Sequence, residues 1–212
     1  VGSEMCIRDR LFRGGLATGT LLLWLAFFMS LLVFYLLSSW LPLLITTAGF
    51  SVANASLMAA TLATGGTVGA IIIGRLMDRF EPHRVLAASY LLAGCFVALL
   101  GSTTAQPALL VFAIFGAGFG VAGAQVGLNA LSAAYYPTAN RGTGVSWANA
   151  VGRIGSVLGS MVGGVLLSLG WGLDTVFSVA AVPAFIAALA MLAMASVRGR
   201  VAAPAVTVSP AA

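Results

Sequence analysis

The chain has 212 residues, of which 60% are hydrophobic and only 7% charged, whereas a soluble domain carries about 25% charged residues. So few charges cannot cover a water-facing surface, which excludes a soluble fold and points to a lipid bilayer. The net charge of +5 comes from ten arginines and no lysine, too sparse and too scattered for a nucleic-acid footprint.

Residues 1–13 form a leader. Its first ten residues differ in composition from everything that follows and resemble a translated sequencing adapter, with a polar linker as the alternative. The chain starts with Val1 rather than Met, which reads as a fragment. Six apolar stretches then approach or exceed the ~20 residues needed to cross a bilayer: 18–45, 53–77, 85–101, 108–133, 143–169 and 176–197. The last residues, 201–212, are a Pro/Ala/Val tail without helical periodicity, read as disordered. The expected fold is an all-α integral membrane bundle of six transmembrane helices.

The arginines support that count. Arg8, Arg10 and Arg13 precede the first span, and Arg75, Arg79 and Arg84 gather at the end of the second and just beyond it. Arg141 follows the fourth, and Arg198 and Arg200 follow the sixth. The turns between hold no basic residue. By the positive-inside rule, both termini and the 74–84 loop face the cytoplasm. That loop, Gly74-Arg75-Leu76-Met77-Asp78-Arg79-Phe80-Glu81-Pro82-His83-Arg84, also holds two of the five acids and the only histidine.

Glycines recur four apart: Gly65 with Gly69, Gly116 with Gly120, Gly123 with Gly127, and Gly155 with Gly159 and Gly163. Small residues at this spacing let helices approach closely in lipid. The faces either pack permanently or slide during a conformational change.

Arg153 lies about ten residues into the fifth span, some 15 Å deep at 1.5 Å per residue, near the bilayer midplane. A charge there is costly and marks a pathway or ligand site. The fork of a guanidinium suits a carboxylate. Ser146, Asn149, Arg153, Ser156 and Ser160 are spaced three and four apart and so share a stripe. The alternative is a structural arginine that clamps helices. Gln125 and Asn129 share a face of the fourth span and could bind an anion or glue helices. Two of Phe27, Phe28, Phe34 and Tyr35 could stack on an aromatic ligand, the alternative being that they face lipid. No acid or histidine lies within a span. There is no His/Cys cluster of metal spacing and no phosphate-binding loop, so neither enzyme nor cofactor is expected.

Gly74-x-x-x-Asp78-Arg79 between two spans resembles the cytoplasmic loop motif of the major facilitator superfamily. Tyr136-Pro137-Thr138-x-x-Arg141-Gly142-x-Gly144 is similar to the matching loop of the second half of such carriers. The run from Leu22 through Ser30, Asp78-Arg79-Phe80-x-Pro82-His83-Arg84, and Gly152-Arg153-Ile154-Gly155-Ser156 resemble the aromatic acid:proton symporters of that superfamily. The resemblance implies that residues 14–200 are the C-terminal six-helix half of a twelve-helix carrier in a bacterial inner membrane. The N-terminal half is a missing partner, a small organic acid is the substrate and the proton is the coupling ion. Depth and helical spacing place substrate at Arg153, Asn149, Ser156, Gln125 and Asn129. The resemblance places conformational control at Gly74, Asp78, Arg79, His83, Arg84 and Arg141. Asp78 would form an ion-pair latch that holds in one conformation and breaks in the other, with Arg75, Arg79 and Arg84 as local candidates, the alternative being a loop that only sets topology. His83 is either a pH sensor or a solvated loop residue. A carrier of another solute, or a membrane sensor of the same fold that transports nothing, are the competing readings.

Overall fold

The computed structural model describes residues 16–47, 49–103 and 106–201. The leader, the tail beyond Val201, and Arg8, Arg10 and Arg13 lie outside the described residues. Six helices follow in order: α1 (Leu16–Thr47), α2 (Val52–Arg79), α3 (Pro82–Ser102), α4 (Pro107–Tyr135), α5 (Arg141–Ser168) and α6 (Leu173–Val201). Each is long and apolar enough to cross a membrane. No strand occurs among the described residues. The all-α six-span expectation is met, with every span end within four residues of its expected place.

Local chemistry sets the helix ends. Ser51 caps α2, its hydroxyl accepting from the Asn54 amide at 3.3 Å. Pro82 and Pro107 open α3 and α4, where a missing N–H costs nothing. Gly49 and Gly170 take positive φ values, 93° and 76°, in the turns after α1 and α5. Phe80 and Glu81 alone join α2 to α3. At 1.5 Å per residue the 28-residue α2 and α5 are about 42 Å long, so they overrun ~30 Å of hydrocarbon or tilt within it.

The tightest pairs are not sequence neighbours. They are α1 with α5, α2 with α4 and α3 with α6. Lipid offers no hydrophobic drive between helices, so close backbone approach must hold them. Gly155 and Gly159 of α5 lie against the carbonyls of Phe28 and Leu32 of α1. Gly65 and Gly69 of α2 lie against the carbonyls of Phe115 and Phe119 of α4. Numbers rise together in both pairs, so both are parallel. Gly116 and Gly120 instead meet Phe96 and Ser89 of α3, and Gly118, which spacing did not single out, meets Leu62 of α2. Gly163 lies under the Trp40 ring. All these glycines serve packing in this structure.

The two parallel pairs are repeats of one design. Replacing α1, α2 and α3 by α4, α5 and α6 converts one pair into the other. Because α1 and α4 run in opposite directions, the three-helix units form an inverted repeat. Two apolar clusters fill the bundle, one around Leu36, Leu62, Val97 and Ile114, the other around Phe27, Ile73, Leu86 and Leu128. In α2 and α5 only a third of the apolar window is buried, against half or more in α3, α4 and α6.

Candidate functional site

Arg153 is the thirteenth of the 28 residues of α5, which puts it at the middle of that helix. Phe27 and Phe28 are held on the α1–α5 contact, with Gly152 and Gly155 beneath them. Arg153, on the flank of that contact, is left exposed and reaches a cleft between α1, α4 and α5. The cleft has a volume of about 240 Å³ and is lined by Leu31, Phe34, Tyr35, Ala122, Gln125, Asn129, Asn149 and Arg153. A cavity of roughly 150 Å³ already admits benzene, so a substituted ring fits this one.

Four of the five expected substrate residues therefore meet at one place. Arg153 donates from Nη1 to the Tyr35 hydroxyl at 3.2 Å. Asn149 Nδ2 donates to the Val145 carbonyl at 3.0 Å and, more weakly, to Asn129 Oδ1 at 3.4 Å. Asn129 Nδ2 donates to the Gln125 carbonyl at 2.9 Å. Since α4 and α5 run antiparallel, Gln125 and Arg153 each lie one turn beyond the asparagine pair and at similar height. The asparagines form a floor, and Gln125 and Arg153 form opposing walls.

Ser156 is not part of this site. It is 8% exposed, does not line the cleft, and its hydroxyl donates to the Arg153 carbonyl at 2.7 Å. Ser160 likewise bonds back to Val157, and its own carbonyl accepts from Trp40 Nε1 at 2.8 Å. The stripe expected on α5 thus divides. Asn149 and Arg153 line the cleft, Ser146 is exposed outside it, and the upper half turns to α1, whose backbone packs on the neighbouring glycines. Of the four aromatic candidates, Phe34 and Tyr35 line the cleft, while Phe27 is fully buried in the core. Tyr35 read from the sequence as a stacking ring, not as the phenol partner of Arg153.

The polar residues gather in one of two equivalent pockets. Aligning Phe28 with Phe115 and Gly65 with Gly155 sets Gln125, Asn129, Asn149 and Arg153 against Ser38, Pro42, Ala59 and Ala63. Those four line the corresponding pocket, which is smaller, about 120 Å³, and otherwise built from Phe34, Leu37, Leu41 and Leu62. The scaffold is duplicated but its polar groups are not.

The 74–84 segment is mostly helix rather than loop. Gly74, Asp78 and Arg79 belong to the last turns of α2, and His83 and Arg84 to the first turn of α3. His83 is 1% exposed, so it is not a solvated loop side chain. Among the described residues the one ion pair is Arg84 Nε to Glu81 Oε2 at 2.7 Å, between exposed groups. Asp78 therefore pairs with none of Arg75, Arg79 and Arg84 in this structure. Arg75, Asp78 and Arg79 share a shallow surface depression with Ile72 and Leu76. A Cβ on Gly74 would meet nothing within 4 Å.

Arg141 is the first residue of α5 and exposed. A cation there opposes the helix dipole, so stabilising the helix does not explain it. Gly144 lies under the ring of Tyr136, which accounts for their joint occurrence in the Tyr136-to-Gly144 motif. Burial pushes the Tyr136 phenol above its ordinary pKa and keeps it neutral. Among the described residues, no group of three or more His, Cys, Asp or Glu side chains could hold a metal ion.

The family model described as Major Facilitator Superfamily matches residues 23–210. The chain is 48% identical over 189 residues to a gallate transporter of Pseudomonas putida, which covers 89% of the chain and 42% of that relative. It is 43% identical over 182 residues to the 4-hydroxybenzoate transporter PcaK of Pseudomonas aeruginosa, covering 86% of the chain and 41% of the relative. It is 37% identical over 192 residues to a 3-(3-hydroxy-phenyl)propionate transporter of Escherichia coli, covering 90% and 47%. Each of these relatives is named as a transporter, and the chain spans less than half the length of each.

Proposed function

This chain belongs to the Major Facilitator Superfamily and is an integral membrane protein, and we propose that it is the C-terminal six-helix half of a carrier for small aromatic carboxylates. The observation that carries the reading is the midplane cleft. It sets one guanidinium, Arg153, among amides and two aromatic side chains, Phe34 and Tyr35. A guanidinium held at mid-depth needs an anion, and its fork matches a carboxylate. No acid lies in any of the six helices at that depth. The aromatic rings supply the stacking surface for a ring. The relatives named for gallate, 4-hydroxybenzoate and 3-(3-hydroxy-phenyl)propionate support the same substrate class.

The thinly buried faces of α2 and α5 are where a second six-helix half would pack. On α2 that face carries Thr64 and Thr67, whose hydroxyls bond their own helix, and ends in Gly74 and Asp78. Asp78, left without an ion pair within the described residues, would find its latch partner on that other half. Gly74, Arg79, His83, Arg84 and Arg141 would act with it in switching between inward- and outward-open states. Both termini face the cytoplasm of a bacterial inner membrane in this arrangement, by the arginine distribution. Protons are the coupling ion, carried by acids of the other half, since these helices hold none inside the membrane.

The test is uptake of radiolabelled 4-hydroxybenzoate by a full-length transporter that carries this chain as its second half. Accumulation that collapses with the proton gradient is expected. Tight binding without accumulation would favour a sensor, and normal uptake by Arg153→Ala would remove the carboxylate role.

A further inference from the structure

Behind the cleft a hydrogen-bond chain crosses three helices. Tyr90 of α3, 0% exposed, donates to Ser30 Oγ at 2.9 Å. Ser30 of α1, 1% exposed, donates to Gln125 Oε1 of α4 at 2.6 Å. Neither Tyr90 nor Ser30 lines the cleft; Gln125 does.

We propose that Tyr90 and Ser30 are positioning residues that lock the Gln125 amide with its NH₂ toward the cleft, making the site select ring-hydroxylated aromatic acids. The proposal rests on the carboxylate reading of Arg153 given above. A glutamine amide can present either its oxygen or its nitrogen to a ligand. Here the count of protons decides. Tyr90 has one hydroxyl proton, and Ser30 is its one acceptor. Ser30 gives its own proton to Gln125 Oε1 and, among the described residues, to no main-chain carbonyl, so the amide turns its oxygen to Ser30. Reversing the chain would strand the Tyr90 proton in the core, which is costly for a buried donor. The amide nitrogen, with no partner of its own, is left for the cleft.

The floor supplies the complement. Asn149 spends its NH₂ on Val145 and Asn129, while its Oδ1 accepts nothing. The cleft thus offers a fixed donor at Gln125 and a free acceptor at Asn149, apart from the cation at Arg153. A phenolic hydroxyl both accepts and donates. It matches this pair while the carboxylate occupies Arg153. An unsubstituted ring leaves both groups unpaired.

The experiment measures uptake of 4-hydroxybenzoate and of benzoate by the full-length transporter, with protein at the membrane quantified. Tyr90→Phe and Ser30→Ala should each raise KM for 4-hydroxybenzoate about three- to tenfold, the worth of one hydrogen bond. KM for benzoate and the maximal rates should change less than about twofold, because neither side chain lines the cleft and benzoate has no hydroxyl for the Gln125 amide to pair with. Ser30→Thr, which keeps the hydroxyl, should restore selectivity. Equal shifts for the two acids, or none for either, would overturn the proposal and leave the carboxylate reading standing. Uptake of neither acid by the unaltered protein would overturn both. If Tyr90→Phe does not reach the membrane, Ser30→Ala carries the same comparison with a smaller change.

Discussion

Consider Gly155→Ala. A Cβ on Gly155 would run into the Phe28 carbonyl oxygen and lie 3.0 Å from its carbon and 3.1 Å from Cα, all backbone atoms that cannot swing aside. To reach ordinary contact, α1 and α5 must part by about 1 Å. Overpacking of this kind costs about 1–3 kcal/mol. The geometric consequence reaches the site. Tyr35 is on α1 and Arg153 on α5, with their bond already at 3.2 Å. A further ångström carries it past the usual limit of a hydrogen bond. The variant should therefore melt several degrees lower in detergent, and in the full-length transporter it should take up aromatic acid with raised KM. Gly142→Ala is the control. It sits on the same helix, and its added Cβ meets nothing within 4 Å. It should be neutral or slightly stabilising, since Ala is the better helix former by up to ~1 kcal/mol. Gly155→Ala with unchanged melting and unchanged KM would refute the claim that this contact sets the width of the cleft.

Other perturbations probe the remaining assignments. Arg153→Ala should raise KM for aromatic acids by at least tenfold, and Arg153→Lys should recover part of that, because the charge returns without the fork; uptake kinetics decide, and full recovery by Lys would argue against bidentate binding. Asp78→Asn should slow uptake while leaving equilibrium binding of the acid intact, which a binding assay beside the transport assay separates. Glu81→Gln should change stability by less than about 1 kcal/mol, because its ion pair with Arg84 is between exposed side chains; a larger loss in a melting experiment would show a hidden role. Cys95 is exposed on the bundle surface in the middle of α3, so it should face lipid and resist water-soluble maleimides until the membrane is dissolved; prompt labelling in intact membranes would contradict the span assignment, with Cys6 replaced beforehand.

Much of this molecule was legible in its sequence because a bilayer imposes simple rules. Every span must be an apolar helix of a set length, so six of them and their ends could be read directly. The depth of Arg153 followed from rise per residue alone. Glycine spacing marked the packing faces of α2, α4 and α5 without revealing what they pack against. Periodicity also placed Asn149, Arg153, Ser156 and Ser160 on one stripe. It could not say that α1 would cover Ser156 and leave Arg153 open, since a stripe spans an arc wider than one neighbour covers.

Those decisions belong to the tertiary structure. The helices pair out of sequence order, α1 with α5 and α2 with α4, because glycines there let backbones touch. That pairing brings Gln125, Asn129, Asn149, Arg153, Phe34 and Tyr35 from three helices to one cleft. It also buries His83, which read from the sequence as either a pH sensor or a solvated loop residue, and threads Tyr90 and Ser30 behind the site. Membrane class, span positions and midplane charge are local properties of a chain in lipid. Which polar groups share a cavity depends on contacts between residues far apart in the chain, and no local pattern encodes those.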